Sequence, residues 1–406
     1  MVNSKKIPNI IVFIVFYCLL ASAQACMTFG NNLWVEIAAA AVCSMYFASK
    51  GAIRFTNTSI VASLLLLSAS VYYIHGGSFA GYISKAMLVS LALVLINLKD
   101  AWKIELFETI SRWFGILMGL SMILWLLHFF MPLPHTTAVV EMNNVPINSY
   151  NYFLFRETMF SDYSSDIMQR YQGMFLEPGH LGTIVAVFLI NNCFDFKKKE
   201  NWVFLIACIL SLSASSYLLV ALGFVFYRFS ANGNKKFVIS SLILIVLIIF
   251  FANYNGGDNL VNNLIFGKLT REDGAVQSRV SLGLLAMFDS MWQSGRDLIF
   301  GKGWEVVDME NSGAGIILFF VVNGIFGTAL LILAYYSIYC CCKSRYGFFV
   351  FLIYLVSFLQ RTYPYWDAFS LPFILGLPFI LRDQQRHELQ NKNERKLSSL
   401  RDKIRT

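Results

Sequence analysis

The chain has 406 residues, of which 57% are hydrophobic and only 14% charged, and its mean hydropathy is +0.59. Ordinary soluble domains carry about 25% charged residues, so this composition excludes a disordered protein, a coiled coil and a soluble enzyme of the usual kind. The net charge of +8 does not point to nucleic acid: most Lys and Arg fall in short loops and a tail on one side of the apolar runs, as in the cytoplasmic loops of membrane proteins.

Only helices and closed barrels satisfy their own backbone groups in lipid. Unbroken apolar runs such as residues 239–252 exclude the barrel, whose strands alternate apolar and polar side chains. The runs predict an all-α polytopic membrane protein with about twelve transmembrane helices, one integral domain over residues 1–406.

In chain order, the first five spans are residues 10–25, 33–48, 59–74, 83–98 and 110–131. Lys5 and Lys6 precede the first run and Ala23-Gln24-Ala25 resembles a cleavage site; we expect the run to be retained as a span. Lys50, Arg54, Lys99 and Lys103 mark inner turns, and Pro132 and Pro134 end span five. A first long outer loop, 132–179, leads into span six, 180–194, and then to Lys197-Lys198-Lys199. Residues 202–212 and 217–227 are each too short to cross alone. Basic residues at both ends predict two short helices meeting at Ser213-Ala214-Ser215-Ser216, a polar turn that would wall a cavity. Span nine, 237–251, precedes a second long outer loop, 253–312, and spans 313–340, 348–359 and 369–381 lead to a basic cytoplasmic tail, 382–406. Both termini are then cytoplasmic. The two outer loops contain Trp, Tyr and Phe throughout, so we expect them to be ordered and to carry the chemistry.

Of eight cysteines, none lies in the two outer loops, so a disulfide framework is not expected. Cys18, Cys43, Cys193 and Cys208 sit in apolar runs, and Cys26 lies near the outer end of the first. The triplet Cys340-Cys341-Cys342 at an inner span end reads either as thiols at the interface or as a lipidation or metal site.

Two clusters carry candidate chemistry. The first is Arg170-Tyr171-Gln172-Gly173-Met174-Phe175-Leu176-Glu177-Pro178-Gly179-His180-Leu181-Gly182, leading into span six. Pro178 suits a first helical position, which puts Glu177 at the helix N-terminus. There it is either a cap stabilised by the helix dipole or a base that takes a proton from a sugar hydroxyl. Arg170 either pairs with Glu177 or grips a phosphate with its planar fork. His180 is either a proton carrier or a polar residue at a helix start. The second cluster starts at Arg279 and runs through an amphipathic stretch to Arg296, then Gly301-Lys302-Gly303-Trp304 and Glu310-Asn311. Its G-x-G lacks the third glycine of a dinucleotide fingerprint and reads as a tight turn, while the cations suit a diphosphate-linked lipid. No P-loop, H-E-x-x-H, C-x-x-C pair or D-x-D is present, so no cofactor and no metal are expected.

The Arg170 to Gly182 string resembles the R-x-x-G-x-F-x-E-P-G-x-x-G signature of bacterial Wzy-type O-antigen and capsule polymerases. A looser companion pattern follows: Arg279, Gly301-x-Gly303, Asn311, then a span with Gly324 and Gly327. The related O-antigen ligases usually carry Asn before the Pro and His before the late Asn; here Glu177 and Glu310 stand at those places. The resemblance implies a GT-C-like glycosyltransferase of the bacterial inner membrane with its site facing outward. Donor and acceptor would both be oligosaccharide on undecaprenyl diphosphate, a chain-length regulator protein would be a partner, and lipopolysaccharide or capsule would be the product. Under it Glu177, then His180, would activate the acceptor hydroxyl. Arg170 and Arg279 would stabilise the leaving diphosphate, with Arg296, Lys302 and Arg361 as further cations and Gly173, Gly303 and Asn311 in the substrate site. The rivals are a ligase and a flippase-type transporter. A transporter needs charge within its spans, where the sequence offers little beyond Glu36, Lys85 and His128 near outer ends.

Overall fold

The computed structural model describes residues 6–28, 33–142, 145–159, 170–232, 282–304, 316–360 and 364–405. The predicted span nine, most of the second loop, Arg279, Asn311 and Arg361 lie outside the described residues.

The helices are α1 (Asn9–Ser22), α2 (Leu33–Ser49), α3 (Asn57–Tyr72), α4 (Phe79–Leu88), α5 (Ser90–Ile96) and α6 (Asp100–His128). A three-stranded sheet follows, β1 (Thr136–Met142), β2 (Val145–Asn151) and β3 (Arg156–Met159). Then come α7 (Pro178–Asn191), α8 (Lys199–Leu210), α9 (Ala214–Asn232), α10 (Leu282–Met291), α11 (Gly295–Phe300), α12 (Ile316–Cys341), α13 (Arg345–Gln360) and α14 (Asp367–Arg405).

Most helix termini of the bundle gather at one of two ends, with α4 and α5 running together as one segment. The sheet end gathers the close of α1, α3, α6 and α8 and the start of α2, α7 and α14: Ala368 N–H donates to Ser22 Oγ (2.9 Å), Tyr365 hydroxyl to Ala69 O (2.8 Å) and Tyr171 N–H to Leu210 O (3.2 Å). The opposite end is charged. There Lys99 Nζ donates to Gly51 O (2.6 Å), Glu108 pairs with Lys198 and Arg382, and Ile53 bridges Leu98.

Among the described residues, three segments are long and apolar enough to cross a membrane: Phe79–Ile96, Asp100–His128 and Ile316–Cys341. The other apolar helices are shorter. At about 1.5 Å per residue, the 14 residues of α1 or α7 reach roughly 21 Å, less than a bilayer core of about 30 Å. The protein is thus a mostly helical chain with the apolar helices of a membrane protein.

The wholly helical expectation needs correcting in the first loop. β1 pairs antiparallel with β2 from Thr136↔Asn151 to Met142↔Val145, and β2 with β3 from Asn148↔Met159 to Asn151↔Arg156. β-Branched residues in β1 and β2 favour extended backbone, and Pro146 near the start of β2 is tolerated close to a strand end.

Two further departures concern helix continuity. The last predicted span and the tail form one helix, α14, which continues through Pro372 and Pro378. Within α12, Gly324 breaks the helix at φ 61° and ψ −165°, a conformation that needs glycine.

α7 lies at the centre, buried from Gly179 to Asn191 and packed by α8, α9 and α14. Phe188 fixes it among Phe107, Phe114 and Phe204, at centroid distances of 6.1, 4.9 and 5.6 Å. α1 is equally part of the core, with Val12, Val15, Cys18 and Leu19 at most 1% exposed.

Candidate functional site

The segment from Arg170 to Leu176 is clamped from three sides. Arg156 N–H of β3 donates to Gly173 O (2.7 Å), and Cys26 N–H donates to Met174 O (2.9 Å). Thr158 hydroxyl donates to Leu176 O (3.2 Å), and Gln172 Nε2 donates to Thr158 Oγ1 (3.0 Å). Tyr171 is fully buried, stacks near Trp125 (5.2 Å) and donates to Ser121 Oγ (2.8 Å). Gly173 has φ +55°, and a Cβ there would lie 3.2 Å from Met118 Cε. The sheet therefore serves as a splint along the signature segment.

Pro178 occupies the first turn of α7 and Glu177 the N-cap, with β-region φ/ψ of −138° and 148°. The backbone of Glu177 caps the helix: its carbonyl accepts from His180 N–H (3.0 Å) and Leu181 N–H (3.3 Å). Its side chain makes no capping hydrogen bond. Of the two sequence readings, the carboxylate cap is therefore not realised, although the carboxylate stays at the positive end of the α7 dipole.

His180 is 3% exposed and stands edge-on to Trp366, with centroids 5.5 Å apart. Gly182 lies one half-turn further on. A Cβ there would sit 2.8 Å from both Ser211 Oγ and Ser216 Oγ, so glycine lets α7 seat directly on the polar turn between α8 and α9. The predicted pair of short helices is present, and the turn lies against the start of α7. Ser213 Oγ and Ser215 Oγ are 3.0 Å apart, and Ser216 hydroxyl donates to Ser213 O (2.7 Å).

Arg170 binds that same turn. Its Nε donates to Ser211 O (3.1 Å) and its Nη2 to Leu212 O (2.8 Å), so the guanidinium closes the C-terminal end of α8. Carbonyls orphaned at a helix end are commonly satisfied in this way. Arg170, Gly173, Glu177, His180, Gly182 and the Ser211–Ser216 turn thus converge at the sheet end of the bundle.

The second cluster forms a separate patch. Gly301 and Gly303 have φ +80° and +84°. Lys302 N–H donates to Val321 O (2.8 Å) and Gly303 N–H to Val322 O (3.2 Å), so the G-x-G backbone satisfies carbonyls freed by the break at Gly324. A Cβ on Gly301 would lie 2.0 Å from Val322 O. The turn reading holds. Lys302 Nζ is paired with Asp297 (2.9 Å), and Arg296 is exposed on α11. An aromatic series joins the two patches: Trp304 to Tyr73 at 5.4 Å, Tyr73 to Tyr365 at 5.5 Å, then Trp366 beside His180.

Lys85, on α4, places Nζ 5.2 Å over the Tyr73 ring in this series. A second group absent from the sequence-derived site is Cys18, Glu36 and Asp367, whose ligand atoms lie within 4.8 Å of one another. The available signal was charge within apolar runs: Glu36 stands in the first turn of α2, and Asp367 directly follows Trp366.

Comparison with protein-family profiles, curated proteins and solved structures finds no match to this chain.

Proposed function

We propose that this protein is a membrane glycosyltransferase that polymerises oligosaccharide repeats carried on undecaprenyl diphosphate, on the outer face of the bacterial cytoplasmic membrane. The carrying observation is the Glu177 carboxylate, placed at the start of a buried helix without capping it, beside His180 and the Arg170-bound polar turn. In this reading the sheet end faces outward, the charged end is cytoplasmic, and the bundle has twelve spans in a GT-C-like arrangement.

Glu177 takes the proton of the acceptor hydroxyl, and the oxygen attacks the anomeric carbon of the donor sugar. The bond to the donor's diphosphate breaks, and the lipid diphosphate leaves with the electron pair. Cations stabilise that developing charge. Arg170, whose guanidinium also holds two carbonyls at the end of α8, and Arg279 take this role, with Arg296, Lys302 and Arg361 as further cations. Gly173, Gly303 and Asn311 complete the substrate site, and a chain-length regulator protein is a partner of the assembly.

Complementation of a strain lacking the gene tests the reading, with surface polysaccharide resolved on a gel. A null strain with single-repeat glycans only, restored to a ladder by wild type, supports polymerase. Full-length polymer retained on its lipid in the null strain makes the protein a ligase. No lipid-linked repeat on the outer face makes it a transporter.

A further inference from the structure

Glu36, 2% exposed, and Asp367, 2% exposed, bring two carboxyl groups together with the thiol of Cys18, which is fully buried. The three come from distant parts of the chain. Cys18 lies one turn before Ser22 on α1, and Ser22 Oγ accepts from Ala368 N–H (2.9 Å), which locks α1 against the start of α14. Glu36 is in the first turn of α2 and Asp367 in the first turn of α14.

Glu36 Oε2 and both oxygens of Asp367 are buried, and the groups near enough to meet them are one another, the Cys18 thiol and the Ser370 hydroxyl. Ser370, one turn along α14 and 4% exposed, has its hydroxyl beside Asp367. Among the described residues no Lys, Arg or His forms an ion pair with either carboxylate. Buried polar groups are normally satisfied, and buried charges are paired or bind metal. Two carboxyl groups and a thiol from three helices, with ligand atoms within 4.8 Å of one another, form a buried donor set for a ligand that accepts lone pairs.

We infer that Cys18, Glu36 and Asp367 bind a divalent metal ion, zinc by preference, with the Ser370 hydroxyl beside it. A sulfur ligand argues against calcium and magnesium, which take oxygen ligands only. One sulfur and two carboxylate oxygens suit zinc, which is bound by three or four such donors. Binding releases the Cys18 thiol proton to solvent, and the ion neutralises carboxylate charge that no cation among the described residues pairs with. The ion ties the close of α1 to the starts of α2 and α14. It therefore fixes Trp366, which immediately precedes Asp367 and packs on His180. Its role is positional, remote from the reacting atoms, and it stands independently of the proposed transfer reaction.

The test is the metal content of the full-length protein, purified in detergent with a peptide tag that contains no His or Cys. Zinc chloride is added to chelator-treated protein, free ion is removed, and bound zinc is measured by mass spectrometry. About one zinc per chain is expected for wild type, falling at least about tenfold in Glu36→Gln/Asp367→Asn. A Cys340→Ser/Cys341→Ser/Cys342→Ser variant keeps the zinc. Cobalt chloride then gives a thiolate-to-cobalt absorption band that Cys18→Ser abolishes. Removing a buried carboxylate can also unfold the chain, so the cobalt band in Cys18→Ser, a near-isosteric change, is the second measure. Wild type without bound zinc after loading, or a cobalt band unchanged in Cys18→Ser, overturns the inference; in that case the two carboxyls share a proton.

Discussion

His180 and Trp366 form an edge-on pair, with ring centroids 5.5 Å apart and planes at 67°, that joins the buried start of α7 to the residue preceding α14. Such pairs contribute about 0.5–1.5 kcal/mol beyond their burial. The contact holds a histidine close to Glu177 in sequence through a residue far along the chain, Trp366. Trp366→Phe should keep most polymer synthesis, whereas Trp366→Ala should lower it about tenfold at matched membrane levels, which the glycan ladder measures. Equal ladders in the two variants would remove the pair from the account.

Glu177→Gln should not show the drop in thermal unfolding midpoint that follows loss of a helix cap. Replacing a side chain that caps a helix costs about 1 kcal/mol, and this side chain makes no cap bond. Unfolding in detergent, followed by tryptophan fluorescence, checks this. A drop matching a lost cap would return the carboxylate to a structural role.

Arg170→Lys should destabilise less than Arg170→Ala. The guanidinium serves two carbonyls, those of Ser211 and Leu212, and an ammonium can replace only part of that fork. Loss of charged hydrogen bonds costs about 1.5–3 kcal/mol each, so Arg170→Ala should lower the chemical-denaturation midpoint clearly. An unchanged midpoint would show that the α8 end needs no such closure.

Glycines give a graded series. Gly119→Ala, whose Cβ would meet only Val203 Cγ2 at 4.0 Å, should be neutral. Gly182→Ala, facing two serine hydroxyls at 2.8 Å, should cost about 1–3 kcal/mol. Gly301→Ala should cost most, because the Cβ would collide with Val322 O and φ is +80°. Expression and melting temperature in detergent read out this order.

Tyr152 lies in the loop after β2, and burial first, then the charge of Glu157 beside it, pushes its hydroxyl from the usual 10 up to about 12. Because the folded state favours the neutral phenol, this residue's contribution is complete below pH 10 and is lost as pH rises through about 12. An ultraviolet titration of wild type against Tyr152→Phe should show one tyrosine missing from the late phase. A difference confined to the range around pH 10 would contradict the burial of this hydroxyl.

Much of the bundle was legible because its helices coincide with apolar runs, and the basic residues at both ends of residues 202–227 pointed to two helices rather than one. The Glu-Pro-Gly sequence likewise placed the start of α7, since proline suits the first turn. The sheet was missed for an identifiable reason. Thr136-Thr137-Ala138-Val139-Val140 and Val145-Pro146-Ile147 flank Asn143-Asn144, a hairpin signal that an expectation of loop overrode. The role of Arg170 was not readable, because nothing local says that its fork meets carbonyls 41 and 42 residues away. Nothing in the sequence singled out Asp367; only folding reveals that Glu36 and Cys18 meet it. The Gly301-x-Gly303 turn was legible as a turn, but its partner, the break in α12 at Gly324, was not.

The most direct measurement reconstitutes the purified protein in liposomes with a lipid-diphosphate-linked repeat unit and follows chain extension by mass spectrometry. The account predicts products longer by whole repeats, with release of lipid diphosphate. It also predicts a loss of at least about a hundredfold in Glu177→Gln at an unchanged folded fraction. Extension by Glu177→Gln at the wild-type rate would contradict the central claim.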